Sequence, residues 1–162
     1  MRIRTKICGI TRPEDAVAAA EAGADAIGLV FYEGSPRNTG IEQAQAIAGV
    51  LPAFVTITAL FVNPTPDFVA EILEKVAPDL LQFHGSEPPL FCQSFGRHYI
   101  KAIKIQRAED VIDGLSRYNR AAGLLLDTPD ELVHGGSGRT FDWSLAPQQG
   151  RGRIILAGGL NA

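Results

Sequence analysis

The chain has 162 residues, 46% of them apolar and 20% charged, which is enough for one domain with a buried core. Its net charge of −3 leaves no basic footprint for nucleic acid, and no apolar run reaches the roughly 18 residues of a membrane span. Met1-Arg2-Ile3-Arg4 leads straight into a strand pattern with no signal peptide, and Cys8 and Cys92 fit no metal spacing, so reduced thiols in a cytoplasmic protein are expected.

Ile3 to Cys8 reads as strand 1 and ends on a thiol followed by Gly9. Thr11 is the expected N-cap of helix 1, with Pro13 and Glu14-Asp15 in its first turn, Ala16 to Ala22 as its body and Gly23 as its stop. Ala26 to Phe31 reads as strand 2, Glu33 to Asn38 as a polar loop, and Ile41 to Val50 as helix 2. Phe54 to Val62, rich in β-branched residues, is strand 3, and Asp67 to Val76 is helix 3. Leu80 to Phe83 is strand 4, Pro88 to Phe95 a short helix 4, Tyr99 to Ile105 strand 5, and Ala108 to Tyr118 helix 5. Gly123 to Leu126, ending at Asp127, is strand 6. A Gly-containing loop from Thr128 to Thr140 then leads to a short helical piece near Asp142 to Leu145, and Arg153 to Ala157 is strand 7.

Strand and helix alternate without a break, and the strands are nearly all apolar, as in a parallel sheet covered on both faces. Strand 1 is not followed by Gly-x-Gly-x-x-Gly, so a dinucleotide-binding fold is disfavoured. The expected architecture is a single α/β domain, a (β/α)8 TIM barrel of which residues 1–162 supply about seven strands and six helices.

In that architecture the chemistry gathers at the carboxyl ends of the strands. Cys8, Arg37, Gln82, His84, Asp127, Gly135 to Gly138 and Gly158-Gly159 all fall there. Cys8 reads either as a buried spacer or as a general base or nucleophile. Asp127 reads either as a loop carboxylate bonded to the next turn or as a half-buried acid holding a proton near neutral pH. As a pair they would suit an isomerase, which removes one proton and supplies another. Arg37 is either a solvated loop charge or a fork for a substrate carboxylate. His84, before Gly85, either bonds nearby backbone or takes part in catalysis. Lys6 shares the parity of Cys8 and is expected on the same face, as counter-charge or substrate contact. The glycine loops Gly135 to Gly138 and Gly158-Gly159 stand where such barrels bind phosphate. Lys101 and Lys104 open a Schiff-base alternative, against the plainer reading that one faces solvent or a helix and the other neutralises a carboxylate. No metal-ligand cluster is visible in the sequence.

Several stretches, in order along the whole chain, carry a family pattern. They are Lys6-Ile7-Cys8-Gly9-Ile10-Thr11, Gly28-Leu29-Val30-Phe31 with Ser35-Pro36-Arg37, and Leu81-Gln82-Phe83-His84-Gly85. Leu125-Leu126-Asp127, Gly135-Gly136-Ser137-Gly138 with Phe141-Asp142-Trp143, and Leu156-Ala157-Gly158-Gly159-Leu160 follow. The chain thus resembles phosphoribosylanthranilate isomerase, a barrel of tryptophan biosynthesis. The resemblance implies an Amadori rearrangement of N-(5-phosphoribosyl)anthranilate to 1-(2-carboxyphenylamino)-1-deoxyribulose 5-phosphate, with no metal or organic cofactor. It implies Asp127 as general acid on the furanose oxygen and Cys8 as general base on the C2′ proton. It further implies Arg37 near the anthranilate part and Gly136, Ser137, Gly138, Gly158 and Gly159 as the phosphate site, while Lys6, Gln82 and His84, from their positions at or near strand ends, are the other expected substrate contacts. The expected partner is a small phosphorylated substrate, bound by a monomer or homodimer, with neither nucleic acid nor membrane involved. The family continues through a seventh helix, an eighth strand and an eighth helix, which this sequence lacks. Two alternatives stay open: a folded but inactive barrel fragment, and a phosphate-binding barrel lyase or synthase of the indole-glycerol-phosphate synthase type.

Overall fold

A computed structural model describes residues 2–127 and 153–158. In chain order these form β1 (Lys6–Cys8), α1 (Pro13–Glu21), β2 (Ala26–Phe31), α2 (Ile41–Gly49), β3 (Thr56–Phe61) and α3 (Pro66–Lys75). They continue with β4 (Leu80–Phe83), α4 (Pro89–Gln93), β5 (Tyr99–Lys104), α5 (Ala108–Arg117), β6 (Gly123–Asp127) and β7 (Ile154–Leu156). The seven strands follow one another in sequence order, which is the expected barrel topology. The helix expected near Asp142 to Leu145 lies outside the described residues. Among those described, no helix is long and apolar enough to cross a membrane. The chain divides into two compact units, Met1–Gln82 and Phe83–Ala162.

In the first unit β2 runs parallel to β1 and to β3, with Cys8 opposite Gly28 and Gly28 opposite Thr58. Nearly all of β2 is buried, because its two faces pack against different partners. Phe31 stacks on Phe61 at 5.7 Å between centroids, and both rings meet Phe68 of α3 edge-on at 6.4 and 6.1 Å. Val30 belongs instead to a cluster with Leu60 and Val62, against which Cys8 and Tyr32 pack.

Among the expected boundaries that shift here, two have a clear local reason. β1 begins at Lys6 rather than Ile3. The residues before it are tied by a side chain: the Thr5 N–H donates to Asp25 at 2.9 Å, and Arg2 grips the same carboxylate. Helix α1 begins at Pro13, with Arg12 rather than Thr11 at its cap and no side-chain capping bond. Proline suits that position because its missing N–H is one that no helix would use. The Arg12 guanidinium pairs with Asp15 in the first turn.

In the second unit β6 runs parallel to β5 and to β7. Phe83, Phe91, Phe95 and Tyr99 form a ring cluster with centroids 5.2–6.0 Å apart. Helix α4 is five residues long, shorter than the eight expected. The Arg153 guanidinium donates to the carbonyls of Tyr118, Asn119 and Ala121, which closes the turn after α5.

Candidate active site

In the first unit, chemistry-bearing side chains meet at the carboxyl end of β1. A Cβ placed on Gly28 would lie 2.7 Å from Cys8 Sγ, 3.0 Å from Lys6 Nζ and 3.2 Å from Cys8 Cα. The thiol and the ammonium therefore share one face, as their parity requires, and both fill the space that a side chain at position 28 would take. Beyond the strand the chain turns at Gly9, whose φ of +84° is one that glycine adopts without strain. The N–H groups of Gly9 and Ile10 both donate to the Gly28 carbonyl, at 2.8 and 3.2 Å.

Gly9 also makes room for Arg37. The guanidinium lies over it, where a Cβ would strike Cδ, Nε and Nη1, and Nη1 donates to the Cys8 carbonyl at 3.0 Å. The loop carrying Arg37 is folded on itself. The Tyr32 N–H donates to Asn38 Oδ1 at 2.9 Å, the Arg37 N–H to Ser35 Oγ at 3.2 Å, and the Thr39 N–H to the Val30 carbonyl at 2.8 Å. Arg37 is thus a half-buried, tethered cation rather than a solvated loop charge. A guanidinium held this way has the rigid fork that suits a carboxylate.

In the second unit a carboxyl and an imidazole meet at strand ends. Asp127 is the last residue of β6, and its own carbonyl accepts from the Ile105 N–H at 3.2 Å. Its Oδ2 lies 2.8 Å from His84 Nε2, and the two side chains are only 11% and 12% exposed. His84 therefore does more than bond nearby backbone. An imidazole donates to a carboxylate or accepts from a carboxylic acid, so Asp127 keeps a hydrogen-bond partner in both protonation states. The sequence offered each residue separately, but the contact between them joins the ends of β4 and β6.

Gly158, after β7, has φ +78° and follows Ala157, whose N–H donates to the Leu126 carbonyl at 3.0 Å. Gly136, Ser137, Gly138 and Gly159 lie outside the described residues. Gln82 is buried on β4. Lys104 is exposed at the end of β5, whereas Lys101 is buried and faces Glu87 at 3.3 Å. Burial pushes the Lys101 ammonium below the ordinary lysine range, and Glu87 opposes that shift. This matches the plainer sequence reading, with one lysine outward and one neutralising a carboxylate, although the carboxylate partner was not identifiable. Its signal was a charge at the centre of the apolar run Tyr99-Ile100-Lys101-Ala102-Ile103. Among the described residues, no group of three or more His, Cys, Asp or Glu could hold a metal ion.

Comparison with known proteins places these features in one context. The profile of the family described as N-(5′-phosphoribosyl)anthranilate (PRA) isomerase matches residues 5–162. The N-(5′-phosphoribosyl)anthranilate isomerase of Pseudomonas fluorescens is 54% identical over 158 residues, which are 98% of this chain and 75% of that protein. The crystal structure of phosphoribosylanthranilate isomerase from Thermotoga maritima superposes with a TM-score of 0.88 at 37% identity, over 99% of this chain and 78% of that one. A structure of such an enzyme in complex with reduced 1-(o-carboxyphenylamino)-1-deoxyribulose 5-phosphate superposes with a TM-score of 0.83 at 37% identity, covering 99% of this chain and 77% of that one.

Proposed function

Because the chain belongs to the N-(5′-phosphoribosyl)anthranilate isomerase family, we propose that it catalyses the Amadori rearrangement of N-(5-phosphoribosyl)anthranilate in tryptophan biosynthesis, with Asp127 and Cys8 as its acid and base. The reaction is an aldose–ketose type isomerisation, an intramolecular oxidoreduction. C1 of the sugar gains hydrogen, C2 becomes the ketone, and no external redox partner is consumed. Asp127 gives its proton to the furanose oxygen and the ring opens to a Schiff base. Cys8 then removes the proton on C2′, and the resulting enolamine tautomerises to the ketone.

The observation that carries this reading is the 2.8 Å contact between Asp127 and His84. A general acid must be held in place both before and after it loses its proton. A His84 Nε2–H that donates to Oδ2 in both states meets that need and leaves the other carboxyl oxygen to carry the proton given to the substrate. Arg37, tethered over Gly9, is assigned to the anthranilate carboxylate. Gly136, Ser137, Gly138, Gly158 and Gly159 are assigned to the phosphate, and Lys6, Gln82 and His84 to the sugar and its surroundings. The ligand is a small phosphorylated molecule, the assembly a monomer or homodimer, and the compartment the cytoplasm.

A Schiff-base lyase draws no support from Lys101. Lys101 Nζ donates to three backbone carbonyls and faces Glu87. A protonated amine so engaged has no lone pair with which to attack a carbonyl.

The test is Asp127→Asn, which keeps the shape and removes the proton. Turnover of N-(5-phosphoribosyl)anthranilate should fall by about a hundredfold or more, the usual share of a general acid, with KM nearly unchanged. A large rise in KM at constant kcat would assign Asp127 to binding instead.

A further inference from the structure

The buried pair Lys101–Glu87 takes no direct part in that chemistry. It is also a poor stability device, because an apolar pair of similar volume often stabilises a core as well or better. Its contacts converge on one short stretch. Lys101 Nζ donates to the Phe83 carbonyl at 3.2 Å and to the Gly85 carbonyl at 2.7 Å, with a third bond to the Ala102 carbonyl at 2.8 Å. Glu87 Oε1 accepts from the Gly85 N–H at 3.1 Å. The Phe83 carbonyl and the His84 N–H belong to one peptide plane, the His84 carbonyl and the Gly85 N–H to the next, and the Gly85 carbonyl to a third. The two charged side chains thus hold three consecutive planes, and with them both backbone torsions of His84.

The far side of the clamp is fixed as well. The Tyr118 hydroxyl donates to the Glu87 carbonyl at 3.0 Å, and Cys92 Sγ lies 3.8 Å from the same oxygen. Lys101 sits on β5 and Tyr118 caps α5, so the turn after β4 is referenced to regular elements on two sides. From the middle of this turn the His84 imidazole reaches Asp127 at 2.8 Å.

We propose that Lys101 and Glu87 are positioning residues: a buried ion pair that clamps the backbone of His84 and so aims its imidazole at the acid Asp127. The inference rests on the assignment of Asp127 as the acid. It adds that the aim of His84 is set by charge rather than by packing.

The test replaces the pair with Lys101→Met and Glu87→Leu together in the intact protein, beside Asp127→Asn. A misplacement of about 1 Å costs roughly a hundredfold. The double variant should therefore lose about tenfold to a hundredfold in kcat with KM within about twofold. Its kcat–pH profile should shift on the limb that Asp127→Asn abolishes. The ¹⁵N signal of His84, identified by its loss in His84→Asn, should move towards that of an unpaired imidazole. A merely structural pair would lower the melting temperature and leave kcat, the profile and the His84 signal in place, which overturns the proposal. If Asp127→Asn keeps full activity, the acid assignment fails, and the His84 signal still decides the clamp. If the double variant does not fold, Glu87→Gln decides, since it keeps an oxygen for the Gly85 N–H but removes the charge facing Lys101. An unmoved His84 signal with unchanged kcat in Glu87→Gln overturns the clamp.

Discussion

Gly28→Ala is the sharpest probe of how Cys8 is placed. A methyl group there would sit 2.7 Å from Cys8 Sγ, 3.0 Å from Lys6 Nζ and 3.2 Å from Cys8 Cα. Ordinary contact is roughly 3.5–4.0 Å, so the thiol must retreat by about 1 Å. Rotating the side chains is not enough, because the third contact is to backbone and β1 itself must move. Overpacking of this kind costs about 1–3 kcal/mol. The loss of chain freedom in the unfolded state returns about 0.4–1 kcal/mol. The net loss is about 1–2 kcal/mol, or roughly 2–8 °C in Tm. Catalysis should suffer more, since a base displaced by about 1 Å loses roughly a hundredfold in rate. Thermal unfolding followed by circular dichroism, with steady-state turnover on the same sample, reads both quantities. A variant that melts lower yet keeps kcat/KM within about twofold would refute the placement of Cys8 as the reacting base.

The remaining predictions concern groups whose surroundings are well defined. The Thr5 N–H and then Arg2 hold the Asp25 carboxyl below the usual aspartate range, so its stabilisation is present above the unfolded value of about 3.9 and is lost as pH falls through the lower folded value. Asp25→Asn should therefore shift the urea midpoint at pH 7 and progressively less below pH 4, and a gap that stays constant with pH would refute the linkage. Burial pushes the Cys92 thiol up to about 12, whereas Cys8 is only half-buried. Iodoacetamide at pH 8 should label the folded protein at Cys8 and reach Cys92 only after unfolding, and labelling of both at equal rates would contradict the structure.

The order of elements was legible because it rests on local chemistry. Apolar runs such as Ile27 to Phe31 and Leu124 to Leu126 are buried on both faces, so composition alone marks them. The positions of Cys8 and Asp127 at strand ends followed directly. The errors came where a single side chain overrides the pattern. Ile3 to Thr5 alternate like a strand, but Asp25 takes the Thr5 N–H that would otherwise have joined a ladder. Thr11 looks like a cap, but its carbonyl accepts from Gln43 and the helix starts after Arg12. The contacts of His84, 43 residues from Asp127, have no local signature. Neither does the partner of Lys101, which is 14 residues away across a helix. A sequence can show that a buried charge needs a partner, but which carboxylate answers depends on the fold.

The two groups assigned to proton transfer are held by opposite means, and this sets what each tolerates. Cys8 is placed by an absence: Gly28 leaves a space and the thiol fills it. Any side chain at position 28 fills the same space, so the tolerance there is steric and nearly zero. Asp127 is placed by a bond, and the bond by a clamp. His84 meets its carboxyl at 2.8 Å, while Lys101 and Glu87 hold the backbone that carries His84. A bonded arrangement degrades in steps, since each lost hydrogen bond widens the range of His84 orientations without forbidding the right one. Substitutions along that chain should therefore give graded losses of kcat, smallest at Tyr118, whose hydroxyl donates to the Glu87 carbonyl on the far side of the turn and whose ring lies 5.6 Å from Lys101 Nζ, and largest at His84. A base needs a fixed approach to one C–H bond, and an acid needs a partner that survives its change of charge. A steric slot suits the first, and a histidine held from behind suits the second.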